Sequence, residues 1–280
     1  MRRVSVQHLF FTSIVLFLTI LACDGRFKTP PPAPTVIIPT TVEELAIALS
    51  DPNYAVRSRA AKALGEMGPK SAPAVPALAI ALSDPRYEMR LFTAEALSKV
   101  GPAAALALPE IITTLRSNNR GQEEPHLIIT LGNIGPAAKS AVPLLIEILE
   151  HENNDFTRSL AAESLGKIND PEALPTLVKV LEAEKGIIFD VREEAARAVA
   201  NFDEQARFAV PVLAKLLDDE NRYAASLSAC AIAKITGEAF PNSEDDCEGF
   251  TIAESGESYI VIVAREWWEK EGQFQDWDNP

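Results

Sequence analysis

The stretch ALSDPNYAVR, Ala48 to Arg57, returns as ALSDPRYEMR, Ala81 to Arg90, thirty-three residues further on. Self-similarity at a fixed period marks a repeat architecture and outranks any local secondary-structure signal. The text that follows extends the pattern. AAKALGEMG (60–68), TAEALSKVG (93–101), LIITLGNIG (127–135), AAESLGKIN (161–169), AARAVANFD (195–203) and ACAIAKITG (229–237) succeed one another at a step of 33 and then steps of 34. A second phrase alternates with the first: AVPALAIAL from Ala74, ALPEIITTL from Ala107, AVPLLIEIL from Ala141, ALPTLVKVL from Ala173 and AVPVLAKLL from Ala209. Its first version, TVEELAIAL from Thr41, has no proline. Six units cover residues 41–240.

Both phrases have helical periodicity. Val142, Leu145, Ile146 and Leu149 fall at i, i+3, i+4 and i+7, one face of a helix. A proline near the start is tolerated there, because first-turn amides have no partner within the helix. Glycine or Asn at the end of the other phrase suits a left-handed cap. Each unit therefore reads as helix, short turn, helix and loop. One such hairpin cannot bury its own apolar face, and stacking on its neighbours does. The expected fold class is all-α, an α-α superhelix of about six helical hairpins with a C-terminal capping segment. Alanine and glycine dominate the second helix of each unit, which allows neighbouring second helices to approach closely.

The chain lacks the Trp-Leu-Gly-Tyr pattern of tetratricopeptide repeats and the Thr-Pro-Leu-His of ankyrin repeats. It resembles instead the short HEAT-like repeats of phycobilin-lyase-type proteins. The residues that carry the resemblance are an acid at the turn and an arginine six positions on: Asp51 with Arg57, Asp84 with Arg90, Glu152 with Arg158. It implies a ladder of charge-assisted bonds tying each turn to its neighbours, with Arg192 as a further member. The pattern lapses in the third unit (Asn118, Glu124), in the fifth (Gly186 before Arg192) and in the sixth (Glu220, Ser226). A lapse at the last unit suits a cap. The lapse in the middle makes the loop Ser117–Pro125 a candidate for a local functional feature.

The N-terminus is read apart from the fold. MRR precedes a charge-free run from Leu9 to Ala22, too short to span a bilayer and typical of a signal peptide. ILAC, Ile20 to Cys23, resembles the bacterial lipobox, which implies cleavage before Cys23 and acylation of that residue. Two or more acyl chains anchor stably. Five prolines between Asp24 and Thr41 then predict an extended tether. The expected organisation is a lipoprotein signal peptide (1–22), a lipid anchor and tether (23–40), the repeats (41–240) and an acidic capping segment (241–280). The implied location is a bacterial membrane, facing the periplasm or the cell exterior.

Net charge is −14, an acidity that argues against nucleic acid as a partner. In the C-terminal segment, SYIVIVAREWW (258–268) is read as a helix capped by Ser258, although Tyr259 to Val263 alone would also suit a strand. Cys230 aligns with Ala61, Ala94, Ile128, Ala162 and Ala196, so it is expected in the core. Cys247 follows in the adjoining loop, and in an oxidising compartment the two cysteines have the option of pairing. No Cys-x-x-Cys, His-Glu-x-x-His, phosphate loop or nucleophile motif occurs in the sequence. The acidic run NSEDDCEG (242–249) lacks the alternating ligand spacing of a calcium loop. Metal and cofactor are therefore not expected. Two HEAT-like enzyme types resemble this architecture. Bilin lyases act in the cytoplasm, which the export signal contradicts. Deoxyhypusine hydroxylases hold iron with several His-Glu pairs, where this chain has only His151-Glu152.

The expected function is a membrane-anchored, monomeric, non-enzymatic scaffold that binds protein. The second helices are expected to line the concave face and present Arg59, Lys62, Glu95, Lys99, Glu163, Lys167 and Arg197 to the partner. The competing reading is a HEAT-like lyase or an enzyme-associated chaperone subunit.

Overall fold

The computed structural model describes residues 40–117, 124–183, 190–240 and 258–277. The signal peptide, Cys23 and the tether all lie outside the described residues, as do the lapsed position Asn118, most of the loop 117–125, Gly186 and the acidic run with Cys247.

Among the described residues are thirteen α-helices. The first helices of the units are α1 (Val42–Ala48), α3 (Val75–Ala81), α5 (Leu108–Arg116), α7 (Val142–His151), α9 (Leu174–Leu181) and α11 (Val210–Lys215). The second helices are α2 (Tyr54–Met67), α4 (Tyr87–Val100), α6 (Glu124–Ile134), α8 (Asp155–Ile168), α10 (Val191–Ala200) and α12 (Arg222–Thr236). A final helix, α13 (Tyr259–Lys270), follows the last hairpin. The fold is an all-α solenoid, as the periodicity requires.

Local chemistry sets the boundaries. Thr41 and Glu44 form a reciprocal capping box at the start of α1. Asn53, Asn154 and Asn221 cap second helices by accepting from the amide two residues on. Five second helices end on a residue with positive φ, Gly68, Gly101, Gly135, Asn169 and Gly237; α10 ends on Asn201 in the right-handed region, and its positive-φ residue, Asp203, opens the turn that follows. Gly68 (φ 56, ψ −127) and Gly101 (φ 79, ψ −144) occupy a region that only glycine reaches without strain. The expected loop between units is an ordered 3-10 turn instead, as over Gly68–Ala74, Gly101–Ala107 and Gly135–Ala141. Small residues explain the difference. Ala74, Ala107 and Ala141 are wholly buried, and Ser71 seals its turn by donating to the Leu64 carbonyl at 2.5 Å.

One core runs the length of the stack. Leu64, Leu97, Leu131, Leu165, Val199 and Ile232 occupy the same place in successive second helices and are fully buried, each contributing about 1.5–3 kcal/mol. Two continuous stretches, Tyr87–Arg116 and Glu124–His151, are long and apolar enough to cross a membrane by length and composition. Each is a pair of repeat helices joined through a 3-10 turn, and core side chains such as Leu97, Ile111, Leu131 and Leu145 are buried against neighbouring units.

Consecutive second helices pack directly on one another, while first helices touch much less. The contacts pass through small residues. A Cβ added at Gly65 would lie 3.3 Å from the Ala96 Cα, at Gly132 3.0 Å from the Ser164 Cα, and at Gly166 2.6 Å from the Ala198 Cα. The second helices therefore form the more closely packed layer, the inner one, and the first helices the outer one.

Helix α13 docks as a seventh first helix. Exposed cross-unit pairs, Lys179 with Glu150 (3.0 Å) and Lys215 with Glu182 (3.2 Å), run along the outer layer, and Arg265 of α13 with Asp218 (2.8 Å) continues them. Ile260, Val261, Ala264 and Trp267 form its buried stripe. Trp267 meets Phe240, Trp268 and Trp277 at centroid distances of 5.7–6.4 Å, and Arg207 lies over the Trp277 ring. These aromatics close the end of the core. Ser258 stands at the N-cap position, but its side chain makes no capping hydrogen bond because its hydroxyl is turned into the interior.

Candidate interaction surface

The outward face of the second helices carries three rows of side chains, one from each unit, at i, i+3 and i+7. The first row is Arg59, Phe92, His126, Leu160, Glu194 and Leu227. The second is Lys62, Glu95, Ile129, Glu163, Arg197 and Cys230. The third is Glu66, Lys99, Asn133, Lys167, Asn201 and Lys234. All seven residues singled out in the sequence fall in these rows and none is in the core.

Most of them are already engaged. Lys99 pairs with Glu95 at 2.6 Å, Lys167 with Glu163 at 2.7 Å, and Arg197 with Glu194 at 3.3 Å. Lys62 sits 4.0 Å above the Phe92 ring. The bond from Lys99 holds the Glu95 carboxyl below the usual range. Sequence reasoning missed the amides that stitch this face across units. Asn133 donates to the Ser98 carbonyl (2.8 Å), and Asn201 to the Gly166 carbonyl (3.3 Å). Lys167 and Lys234, each one unit further on, donate to Asn133 and Asn201 in turn. The signal was available: both asparagines stand two residues before the positive-φ residue that opens the next turn, Gly135 and Asp203.

Glu194 was also missed. It stands in the same row as Leu160 and Leu227, and burial pushes its carboxyl pKa up, with Glu163 and Glu193 adding to the effect and Arg197 and Lys167 opposing it. Its Oε2 is buried and has no hydrogen-bond partner among the described residues. An unpaired buried acceptor is costly, so a donor brought by a ligand would be well received there.

At the turn edge, each arginine binds its own turn, and Arg57 and Arg192 also reach the acid of the next. Arg57 donates to the Asp51 and Pro52 carbonyls and pairs with Asp84 of the following unit at 2.9 Å. Arg90 donates to the Asp84 and Pro85 carbonyls, and Arg158 to the Leu149 carbonyl and to Asp155. Glu152 accepts the Asn153 amide. Where the sequence suggests a lapse, the fifth unit has the most enclosed rung. Arg192 is only 6% exposed, with Asp190 and Asp219 each at 2.6 Å. Burial raises the Asp190 pKa, but the hydrogen bonds from Arg192 and Asn221 outweigh this and hold it below the usual range.

The sixth unit shows why Glu220 and Ser226 looked like a lapse. Helix α12 has 15 residues where α2 has 14, so counting back from Gly237 slips the register by one. Asp219, which accepts the Asn221 amide as Asp84 accepts that of Arg86, is the true acid of that turn. The same slip misplaces Cys230. Ala229 fills the buried column, and Cys230 is half-buried in the row of Lys62 and Arg197. It helps line a cavity of ≈ 540 Å³ between α10 and α12 with Arg197, Asn201, Leu227, Lys234 and Glu238. Cys230 is disulfide-bonded; Cys247 lies outside the described residues.

Among the described residues, no group of three or more His, Cys, Asp or Glu side chains is placed to hold a metal. His151 turns its Nδ1 to the Glu147 carbonyl.

Solved structures show where this arrangement recurs. The chain is similar to an engineered protein, at 22% identity and a TM-score of 0.56 over 71% of this chain and 98% of that one. It is also similar to a designed armadillo repeat protein solved in complex with the peptide (KR)4, at 17% identity and a TM-score of 0.55 over 70% of this chain and all of that one. At these identities the likeness is one of fold. The complex of CpcE and CpcF of phycocyanin lyase from Nostoc overlaps 80% of the chain at a TM-score of only 0.38, too low to carry an argument. No curated protein matches the chain in sequence. The model of HEAT repeats matches residues 42–120 and 108–188, more than half of the sequence, and the chain belongs to the HEAT-repeat family.

Proposed function

We propose that this solenoid is a protein-binding scaffold, held at a bacterial membrane through a lipid on Cys23 and facing the periplasm or cell exterior, and that it acts by binding rather than by catalysis. The observation that carries the binding role is the inner face. Exposed charges alternate there with half-buried Phe92, Ile129 and Leu160 over a rigid small-residue layer, and the buried Glu194 acceptor has no donor among the described residues. A mixed polar and apolar surface of this kind fits a folded protein or an extended peptide. The designed armadillo relative, solved with a peptide, is consistent with that use of a repeat surface.

Photo-crosslinking residues placed at Lys62, Lys167 and Arg197 are expected to trap one and the same protein in the native envelope. The same residues at Lys179 and Lys215 on the outer layer are expected to trap none of it. Equal capture from both layers would remove the inner face as the binding surface.

The anchor rests on the lipobox-like ILAC and on the proline tether. Cys23→Ser is expected to move the chain from the membrane fraction to the soluble fraction and abolish fatty-acid labelling. Unchanged labelling would remove the anchor.

A further inference from the structure

The two ends of the stack differ. At the C-terminal end, α13 and its aromatics cover the last hairpin. At the N-terminal end, the first hairpin presents a face that is an inter-unit contact everywhere else. In the Ala63 position, Ala96, Thr130, Ser164, Ala198 and Ala231 are at most 2% exposed, whereas Ala63 is half-buried. Met67 is half-buried where Val100, Ile134, Ile168, Phe202 and Ile235 are at most 3% exposed. Val56 differs from Met89 in the same way. Terminal repeats normally turn a polar face outward, and this one does not.

We infer that a second copy of this chain covers that face, in a two-fold dimer joining first repeat to first repeat. Three observations select this occupant. The face is apolar and built of small or medium side chains around Ala63, so a second helix is able to lie closely along it. Head-to-tail stacking is blocked because α13 occupies the other end, and among self-contacts a two-fold arrangement closes. Charge then fixes the orientation. Arg59 and Glu66 flank Ala63 on the inner side, are exposed, and form no ion pair among the described residues. The counterparts of Lys62 and Glu66 pair within one helix in the second and fourth units, Glu95 with Lys99 and Glu163 with Lys167, whereas Lys62 lies over the Phe92 ring instead. If α2 crosses its symmetry mate antiparallel near Ala63, Arg59 of each copy meets Glu66 of the other. The two-fold axis then lies in the contact plane and keeps both inner faces on one side, as a single surface of twelve units.

The contact is small. Two helices about 21 Å long lying side by side offer roughly 400 Å² per copy, below the usual range for permanent dimers. Association is therefore weak and reversible. This replaces the expectation of a monomer and stands independently of what the inner face binds.

The test uses the full chain in detergent, followed by sedimentation equilibrium. The unaltered chain is expected to dimerise. Arg59→Glu or Glu66→Arg alone should weaken dimerisation about tenfold, because each places like charges together twice. An equimolar mixture of the two variants should restore it to within about threefold, because every cross-copy pair in the mixed dimer is again opposite in sign. Ala63→Cys, near the axis, should be joined to its mate by a short bis-maleimide, and Ser140→Cys should not. A chain that stays monomeric at about 100 µM, reversals without effect, or a mixture no better than the single variants would overturn the inference.

Discussion

Arg192→Met is expected to destabilise the solenoid by about 3–5 kcal/mol at neutral pH, the largest effect of any single charged residue in the stack. The size follows from burial. Arg192 is 6% exposed and holds two carboxylates, Asp190 at 5% and Asp219 at 16% side-chain exposure. Removing the guanidinium leaves both acids in a poorly solvated turn, and Asp190 must still cap α10 and accept from Asn221. Arg57→Met also leaves Asp84 unpaired but keeps the turn more open to water, so its cost is expected to be smaller. Combining Arg192→Met with Asp190→Asn and Asp219→Asn should recover most of the loss, because no bare charge remains.

The pH dependence has a definite sign. In the unaltered protein the Asp190 pKa is depressed on folding. Its stabilising contribution is thus present above the unfolded carboxylate value, near pH 4, and is lost as pH falls through the lower folded value. In Arg192→Met the depression is gone, so the deficit is greatest at neutral pH and shrinks as the acids protonate. Urea unfolding followed from about pH 7 down to about pH 2.5 reads this directly. A deficit that does not change with pH would mean that lost packing, not charge, sets the cost.

Gly166→Ala is expected to cost roughly 2 kcal/mol, although alanine is the better helix former by about 1 kcal/mol. The new Cβ would lie 2.6 Å from the Ala198 Cα and 2.7 Å from its Cβ, against backbone that cannot swing aside. Helices α8 and α10 must separate, which also stretches the Asn201 bond to the Gly166 carbonyl. Gly65→Ala is the internal comparison. Its nearest neighbour, the Ala96 Cα, is at 3.3 Å, so a shift of a few tenths of an ångström suffices. Its stability should stay within about 1 kcal/mol of the parent, clash and propensity nearly cancelling. If both variants unfold at the same denaturant concentration, close approach of the second helices is not what limits residue size there.

How much of this was legible in the sequence depends on the range of the interaction. The hairpins, their number and their caps were readable because each is written locally: Pro76 or Pro143 at a helix start, Gly68 or Asn169 at a helix end. The inner rows were readable because spacing alone places Lys62 or Glu163 outward. The sixth unit was misread because the extra residue in α12 lies inside the helix, where no glycine or proline records it. The register could have been recovered from Asn221 at its start. The enclosure of Arg192 was hidden because its partners, Asp190 and Asp219, lie outside the six-residue spacing of the other units, one of them a whole unit away. The orphan acceptor of Glu194 depends on neighbours from two further helices and leaves no trace in the local text.

The outer layer has one more consequence. Its cross-unit pairs stand in solvent, with Lys179 and Lys215 at 75% and 70% side-chain exposure. The Arg192 rung and the apolar seam beneath the inner rows are shielded. Dissolved ions weaken exposed pairs far more than enclosed ones. Raising ionic strength is therefore expected to loosen the outer cross-unit pairs, and the exposed Lys234–Asp203 pair of the inner face with them, while the enclosed Arg192 rung and the core hold the units together and folding stays almost unchanged.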